Sequence, residues 1–295
     1  DNPHDLRSDE ILGEWLESAV LTLPVHGHLA GLSDAVKDKV ELADTQELQR
    51  FTFLRAKVLC QYSLQRGRLA ECLDAMAELK SRPLNEEFRA RTDLLGIEAC
   101  LHSKDPKPCL LKANKLVGRF EELPSLRLKA ELRSLASIAA FRSDKKEELD
   151  RHVSALERLL PYLGPRLQIQ FHLQLLSLSL SHGDLETARL TIATVDQALQ
   201  TAYVGLNLSQ LQLEFYKLLT ERLKKPDTDL SQQIGKLKGK ISLLSPSNPL
   251  AKMTMALSRD SKKSASSLLQ LQEEHGQFHP ETLLFLRALS GLLRD

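Results

Sequence analysis

Apolar residues recur along the chain with the spacing i, i+4 and i+7, which places them on one face of a helix. Each triplet follows a short polar break, and the clearest break is the stretch HGDLETA at 182–188. The first members of successive triplets are 34 to 42 residues apart. The triplets are Cys72, Met76, Leu79; Cys109, Ala113, Leu116; Leu149, Val153, Leu156; Ala188, Ile192, Val195; Leu230, Ile234, Leu237; and Ser264, Leu268, Leu271. This near-constant register predicts a helical unit that recurs along the chain.

A second helix is predicted before each break, in stretches that are long enough to be helices. These stretches cover residues 47–64, 86–102, 125–142, 166–181 and 207–223. The fourth of them contains LQIQFHLQLLSLSLS, whose apolar residues alternate as they would in a strand. Its Leu, Gln and Ser residues lack the β-branched and aromatic bias of strands. We therefore predict a helix here as well.

The breaks contain residues that end one helix and begin another. Gly67 and Gly183 can adopt the left-handed backbone conformation that closes a helix. Asp and Ser residues at the breaks can cap the next helix by accepting a bond from a free backbone N–H. His182 is expected at a helix C-terminus, where positive charge suits the helix dipole. Each unit is thus predicted to be a helix–turn–helix that buries both of its faces only by stacking on its neighbours.

The segments ELDRHVSALERLLP (148–161) and HGDLETARLTIATV (182–195) resemble units of the tetratricopeptide-repeat (TPR) superfamily. A small residue early in the second helix, an apolar residue one turn later and a proline after the helix are typical of that family. Leu149 and Leu230 stand where the family keeps a small residue, so related helical-hairpin solenoids stay an alternative. The resemblance implies an all-α, right-handed superhelical solenoid of about six to seven antiparallel helix pairs.

The expected organisation has three parts. Residues 1–44 are predicted to form an N-terminal helical pair that is either a degenerate repeat or a cap, and residues 45–276 to form the TPR-like repeats. Residues 277–295 are predicted to form a C-terminal capping helix, because Leu283 and Leu286 belong to a broad apolar face that needs cover. The alternatives for that face are a further repeat and self-association through residues 279–294.

Composition narrows the function classes. The 295 residues are 42% hydrophobic and 5% aromatic, and the net charge is +1, so no overall field favours nucleic acid or a membrane surface. No run of about 18 uncharged apolar residues predicts a membrane span. Charge is uneven, however: residues 1–50 carry a net −7 and residues 214–263 a net +6. The basic segment suggests an acidic partner or head-to-tail pairing, while its few aromatics make nucleic acid unlikely.

Candidate chemistry is sparse. None of the four cysteines forms CxxC, and Cys72 and Cys109 are expected to be buried core residues, with a Cys60–Cys72 cross-link as the alternative. No metal site is expected, since the His26–Gly–His28 pair has no third ligand nearby. The stretch GKLKGKIS (235–242) lacks the spacing of a phosphate-binding loop. Gly235 and Gly239 are instead expected to allow close helix packing.

The resemblance implies a non-catalytic scaffold, with no cofactor, that binds a protein or peptide segment in a concave groove lined by the first helix of each unit. Gln side chains can bond both donors and acceptors of an extended backbone, and Arg can bind a carboxylate through two bonds. By analogy with the family, the groove residues are Lys57, Gln61, Gln65, Arg91, Glu98, His102, Ser134, Arg142, Gln170, Ser177, Gln212 and Arg222.

Two other functions are consistent with the sequence. The first is a ligand- or peptide-sensing regulatory module of a larger protein, and the second is RNA binding through the basic residues 214–263. The chain begins Asp-Asn-Pro without Met, so we expect a fragment or a processed form. No signal peptide is visible, and a cytoplasmic location is expected, with a processed exported or organellar form as the alternative.

Overall fold

The protein is described by a computed structural model, which defines residues 53, 56–57, 59–60, 63–64, 67–82, 84–201, 207–244, 249–258, 261–275 and 280–290. Helices account for 85% of these residues, and none of them lies in a strand. The helices are α1 (Leu69–Lys80), α2 (Glu86–Leu101), α3 (Lys107–Glu122), α4 (Leu126–Arg142), α5 (Lys146–Leu159), α6 (Pro165–Ser181), α7 (Leu185–Thr201), α8 (Asn207–Lys224), α9 (Ser231–Leu244), α10 (Pro249–Ala256), α11 (Ser261–His275) and α12 (Pro280–Ser290). The predicted all-α class is confirmed. The predictions for residues 1–44, including His26 and His28, lie outside the described residues.

The turn in HGDLETA is one copy of a recurring helix end. Gly183 and Gly67 have φ values of 75° and 67°, as predicted, and Asp144 has a φ of 52° at the corresponding place after α4. In each case the next residue donates its backbone N–H to a carbonyl five residues earlier, at 2.8–3.0 Å: Arg68 to Ser63, Lys145 to Ala140 and Asp184 to Ser179. This bond satisfies a carbonyl that the helix end leaves free. The same local chemistry therefore closes three helices.

Side-chain caps begin the helices that follow. Asp184 accepts the backbone N–H of Thr187 at 3.0 Å and its hydroxyl at 2.7 Å, at the start of α7. The backbone N–H of Thr187 is the largest cause that lowers the pKa of Asp184. Ser125 accepts the N–H of Leu128 at 3.3 Å at the start of α4. The predicted capping role is confirmed at Asp184, whereas Ser125 caps a helix outside the predicted breaks.

Residues 1–99 and 100–295 form two compact units, and the boundary falls near the end of α2. In the second unit, consecutive helices from α3 to α11 pack against each other, apart from α5 and α6, which are joined through the 3₁₀ turn Leu160–Tyr162. Contacts also join α4 to α6, α6 to α8 and α8 to α10. We call α4, α6, α8 and α10 the first helices, and α5, α7, α9 and α11 the second helices. Every member of the predicted apolar triplets is buried or half-buried, which confirms the register.

The strand-like alternation in α6 has a packing explanation. Ile169 and Leu173 belong to an apolar cluster that extends from α6 to α12. Phe171 and Leu175 belong to a second cluster that extends from the end of α2 to α6. Because α6 is apolar on two sides, its buried residues fall at nearly every second position. A sandwiched helix can therefore carry the period of a strand.

The first unit has its own small clusters among the described residues. Cys60, Leu64, Cys72 and Met76 pack together at the start of the unit. A further cluster contains Phe53, Ala56 and Leu79, against which Leu84 and Phe88 pack. The residues of α1 thus bury the face that the sequence predicts.

The last helix, α12, has its main contact with α6. Ser181 at the end of α6 donates its hydroxyl to the backbone carbonyl of Leu284 at 2.8 Å. The sequence predicts a helix in this region, and the structure places its main contact in the middle of the second unit. Capping of the last hairpin stays a prediction.

None of the described helices is both long enough and apolar enough to cross a lipid bilayer. Helix α9, for example, buries Ile234, Leu237 and Ile241 and exposes most of its other described positions. The sequence prediction that no membrane span occurs agrees with this finding for the part of the chain that the structure describes.

The prediction that Gly235 and Gly239 allow close helix packing is wrong. Both glycines are exposed on α9, and a Cβ atom added at either position would meet no atom within 4 Å. The face that they share points away from the apolar side of α9. Neither residue is needed there for steric reasons.

Replacing Gly235 or Gly239 by alanine is expected to raise the free energy of unfolding by about 0.5–1 kcal/mol each, because alanine restricts the unfolded chain more and suits a helix interior. Chemical denaturation measures the change. The matched control is Gly183→Ala, which should destabilise the protein because a φ of 75° strains an L-residue. Equal effects of the three substitutions would contradict the assignment of helix and turn.

Candidate binding surface on the first helices

Six of the predicted groove residues lie on first helices of the second unit: Ser134, Arg142, Gln170, Ser177, Gln212 and Arg222. Gln170 is exposed on α6, and Gln212 is half-buried on α8. Ser134 on α4 is 4% exposed and Ser177 on α6 is 8% exposed. A bound segment can reach Gln170 directly, whereas the two serines are covered by neighbouring parts of the same unit.

Ser134 contributes to the contact between two first helices. Its hydroxyl donates to the side-chain oxygen of Gln174 on α6. The side-chain nitrogen of Gln174 in turn donates to the backbone carbonyl of Ser134 at 3.2 Å. This reciprocal pair fixes α4 against α6, and Gln174 was missed in the sequence. The two residues are 40 positions apart, which is the spacing of the repeat and was the available signal.

Arg142 and Arg222 bind backbone carbonyls rather than facing solvent. Arg142 donates to the carbonyls of Leu101 and Ser103, the latter at 2.9 Å, at the end of α2. Arg222 is 6% exposed and donates to the carbonyl of Leu257 through Nε at 3.1 Å and Nη2 at 2.9 Å. Its Nη1 donates to Pro226 at 2.6 Å and Thr228 at 3.0 Å. Both guanidinium groups stabilise helix ends and loops.

These arginines belong to a series of basic side chains. His102, Arg142, His182 and Arg222 are spaced 40 residues apart, and each lies within the last turn or just after the end of α2, α4, α6 or α8. His182 is placed edge-on to Phe141, with ring centroids 4.7 Å apart. A cation suits the negative end of the helix dipole. Burial, followed by the charge of Arg142, lowers the pKa of His102 to about 4. The side chains at these helix ends contact neighbouring loops and helices of the fold, as Arg142, Arg222 and His182 do.

The remaining predicted residues belong to the first unit. Lys57, Arg91 and Glu98 are half-buried, and Gln61 and Gln65 lie outside the described residues. Arg91 forms an ion pair with Glu87 at 2.7 Å. Its guanidinium also lies over the rings of Phe53 and Phe88, 6.0 and 5.7 Å from their centroids. These contacts hold Arg91 against the apolar face of its own unit.

A narrow polar strip forms part of the surface that α6 and α8 expose in the second unit. Gln170 on α6 and Gln210 on α8 are exposed and lie 40 residues apart. Gln174 and Glu214, one turn further along each helix, are half-buried. Apolar residues of both clusters flank the strip, so its backbone is held rigidly. Gln210 was missed in the sequence because its neighbour Gln212 was assigned instead.

The basic segment 214–263 is partly neutralised by its acidic neighbours. Lys217 on α8 lies 3.1 Å from Asp196 on α7, and Lys240 on α9 lies 3.0 Å from Glu214 on α8. All four side chains are at least two-fifths exposed, so each pair stabilises the fold little. The pairs do reduce the positive potential that an acidic partner would meet.

A buried polar cluster joins α3, α4 and α5. His152 is completely buried, and its Nε2 lies 2.9 Å from the side-chain oxygen of Asn114. Its Nδ1 lies 3.3 Å from Nη1 of Arg133, which also forms an ion pair with Glu121 at 2.8 Å. Burial is the largest cause that lowers the pKa of His152 to about 4, followed by the charges of Arg133 and Arg151. The imidazole is therefore neutral at pH 7.

The cysteines divide into a disulfide and a pair of thiols. Cys100 and Cys109 form a disulfide across the turn between α2 and α3. The prediction that Cys109 is buried is confirmed, but its expected role as an unmodified core thiol is wrong, because the chain brings Cys100 against it. Cys60 and Cys72 are free and buried. The Sγ of Cys60 donates to the carbonyl of Cys72 at 3.3 Å, and its bond with Cys72, followed by burial, raises its pKa.

Thiol counting tests this arrangement. Without a reducing agent, the unfolded protein is expected to react with two equivalents of a thiol reagent, and reduction should raise this to four. The folded protein should react slowly, because Cys60 and Cys72 are buried and the Cys60 thiolate is disfavoured. The Cys60→Ala variant should lose one equivalent. Four reactive thiols before reduction would contradict the disulfide.

No protein-family model, no curated protein and no solved structure matches this chain. Within the part of the chain that the structure describes, no three His, Cys, Asp or Glu side chains lie close enough together to hold a metal ion. The polar strip on α6 and α8 is therefore a candidate site that is supported by the positions of its residues in the structure and not by a known relative.

Proposed function

We propose that this protein is a non-catalytic scaffold whose first helices bind a segment of another protein. The observation that carries the proposal is the layer formed by α4, α6, α8 and α10, each of which contacts the next. A TPR-like solenoid has such a layer as its inner wall, and the 40-residue spacing of Ser134 and Gln174 supports that relationship. The superhelix and its right-handed twist belong to the proposal.

The exposed amides supply the recognition chemistry. Gln170 and Gln210 offer donors and acceptors at equivalent positions of α6 and α8. Because α6 and α8 pack against neighbouring helices, the backbone that carries these amides is held in place before a partner arrives. A surface that is ordered in advance loses less entropy on binding. The second helices, in contrast, expose several faces at once, as α9 does.

The polar strip also favours protein over RNA. Lys217 and Lys240, two basic residues of the segment 214–263, are already paired with Asp196 and Glu214. Binding of generic RNA depends on unpaired cations that displace counterions. A protein segment needs hydrogen bonds and apolar contacts, both of which the first helices provide.

Site-specific photo-cross-linking tests the proposal in the full chain. A benzophenone amino acid replaces Gln170 or Gln210 on the first helices, and Gln232 or Gln233 on α9 as matched controls, since all four glutamines are exposed. The proposal predicts that probes at Gln170 and Gln210 yield adducts with the same protein segment, mapped by mass spectrometry. The probes at Gln232 and Gln233 should yield little of that adduct.

The outcomes separate the alternatives. Adducts of equal yield from all four positions would show nonspecific contact and contradict the proposal. Adducts with RNA that disappear as salt rises would replace it with the nucleic-acid function. Absence of any adduct at Gln170 and Gln210, with the protein folded, would also overturn it.

A further inference from the structure

Helix α12 lies on the surface that the preceding proposal assigns to a partner. Its main contact is with the first helix α6, about 100 residues earlier in the chain. The ring of Phe285 lies 5.6 Å from the ring of Phe215 on the neighbouring first helix α8. Arg287 lies 3.7 Å from Asp144, in the turn after α4. One short helix therefore contacts α6, α8 and the turn after α4.

The positions that α12 covers belong to the same face as Gln170. Gln170, Gln174, Ser177 and Ser181 follow one another at helical spacing along α6. Exposure falls along this face: Gln170 is exposed, Gln174 is half-buried, and Ser177 and Ser181 are 8% and 7% exposed. Ser181 is the residue that donates to Leu284. The chain's own helix thus occupies the far end of the strip.

The repeat offers an internal comparison. The residues of α8 that lie 40 positions after Ser177 and Ser181 are Lys217 and Glu221, and both are exposed. Ser137, 40 positions before Ser177 on α4, is fully buried, so the burial of Ser177 is shared with an equivalent position. The observation that ties α12 to this face is the hydrogen bond from Ser181 to Leu284.

The fit of α12 combines strong and weak contacts. Phe285 and Ala288 complete the apolar cluster of α6 to α12, and Leu284 joins the cluster on the other side of α6. The hydroxyl of Thr282, however, is fully buried and has no hydrogen-bond partner among the described residues, which disfavours the docked state. The Arg287–Asp144 pair is largely exposed and stabilises little. An isolated helix of 11 residues is also marginal in water.

We infer that α12 is an internal competitor for the first-helix surface, and that the partner is an amphipathic helix that displaces it. This inference rests on the proposed function and names its partner class. The partner presents two adjacent bulky apolar residues and a small residue three positions later, in place of Leu284, Phe285 and Ala288. It carries an apolar side chain where α12 places Thr282, so it avoids the unpaired hydroxyl. Release of α12 is thus linked to binding of the partner.

The test uses a fluorescein-labelled peptide of residues 279–294 as the probe and the full-length chain as the receptor. Fluorescence anisotropy measures its affinity for the wild-type protein and for three variants. Phe285→Ala in the receptor weakens the internal helix, and should strengthen peptide binding by about tenfold or more, because a larger fraction of the protein is open. Thr282→Val should weaken peptide binding, since it removes the unpaired hydroxyl and favours the closed state. Leu286→Ala is the matched control, because Leu286 is only half-buried and belongs to neither cluster.

A second receptor variant covers the case in which Phe285→Ala unfolds the protein. Arg287→Glu replaces a weak attraction to Asp144 with a weak repulsion at an exposed position, so it favours the open state of α12 without creating a cavity, and peptide affinity should rise by less than for Phe285→Ala. A peptide that itself carries Phe285→Ala should not bind any receptor. Equal affinities for all receptors, or no binding to the Arg287→Glu variant, would overturn the inference while leaving the cross-linking test of the proposed function intact. A concentration-dependent dimer of the wild-type chain that exchanges α12 would assign the surface to a second copy and overturn it as well.

Discussion

Replacing Arg222 by leucine is expected to lower the free energy of unfolding by about 3 kcal/mol. The guanidinium is 6% exposed and bonds the carbonyls of Leu257, Pro226 and Thr228. Leucine fills part of the volume but leaves the buried carbonyl of Leu257 unsatisfied and removes the donor from the carbonyls of Pro226 and Thr228. Urea denaturation followed by circular dichroism measures the loss.

Two further variants define the cause. Arg222→Lys keeps the charge but cannot reach three carbonyls in the geometry of a planar guanidinium, so most of the loss should remain. Arg189→Leu on α7 is the matched control, because its side chain is 65% exposed and should change stability by less than about 0.5 kcal/mol. A similar small effect for Arg222→Leu would show that the bonds to the loop and to α10 do not stabilise the unit.

Acidification from pH 7 to pH 5 is expected to remove about 2 kcal/mol of stability through His152 alone. Its pKa is lowered to about 4 in the folded protein, mainly by burial, and then by Arg133 on α4 and Arg151 on α5. The unfolded chain titrates near pH 6.5 and takes up the proton first, so stability is full above that pH and is lost as the pH falls toward 4. Thermal or urea unfolding at several pH values measures the slope.

The His152→Gln variant isolates this contribution. Glutamine keeps a polar side chain toward Asn114 and Arg133 but does not titrate, so the slope between pH 7 and pH 5 should become shallower. The remaining slope should include His102, whose pKa is also lowered to about 4. Parallel slopes for the variant and the wild-type protein would contradict the buried neutral imidazole.

The sequence predicted the elements that depend on local chemistry. Gly183 and Asp184 determine a helix end and a helix start within a few residues, and the structure has both. The same holds for the apolar triplets, because a face of one helix is encoded by spacing within that helix. The sequence also predicted correctly that α6 is a helix despite its strand-like alternation. The reason for the alternation depends on the neighbouring helices, because Ile169 and Phe171 belong to apolar clusters on opposite sides of α6.

The candidate site could be predicted only in part, because it depends on distant residues. Helical spacing places Gln170 and Ser177 on one face, but it does not show that Leu284 contacts Ser181 on that face from 103 residues away. Arg222 resembled a groove residue because a long cation near a helix end has no local partner in the sequence. The Cys100–Cys109 disulfide was not predicted, because the repeat aligns Cys72 with Cys109, whereas the disulfide joins neighbours across one turn.

The buried cluster around His152 illustrates the same limit. Asn114 and His152 are 38 residues apart, and neither belongs to a recognisable motif. Their pairing follows from the packing of α3, α4 and α5, which brings Asn114 and Arg133 against the buried His152. A period of apolar residues indicates which face is buried, but it does not reveal which polar residues share that face with a partner.

Hydrogen exchange of the full-length protein tests the central claim most directly, because it requires no knowledge of the partner. If the surface of α6 and α8 is a reversible site for an apolar helix, the amides of α12 must exchange through local opening while α6 stays folded. The account predicts exchange in α12 at least about tenfold faster than in the core of α6, with little dependence on denaturant. Equal rates in α12 and α6, with the same steep dependence on denaturant, would show that α12 leaves only when the whole unit unfolds and would contradict the account.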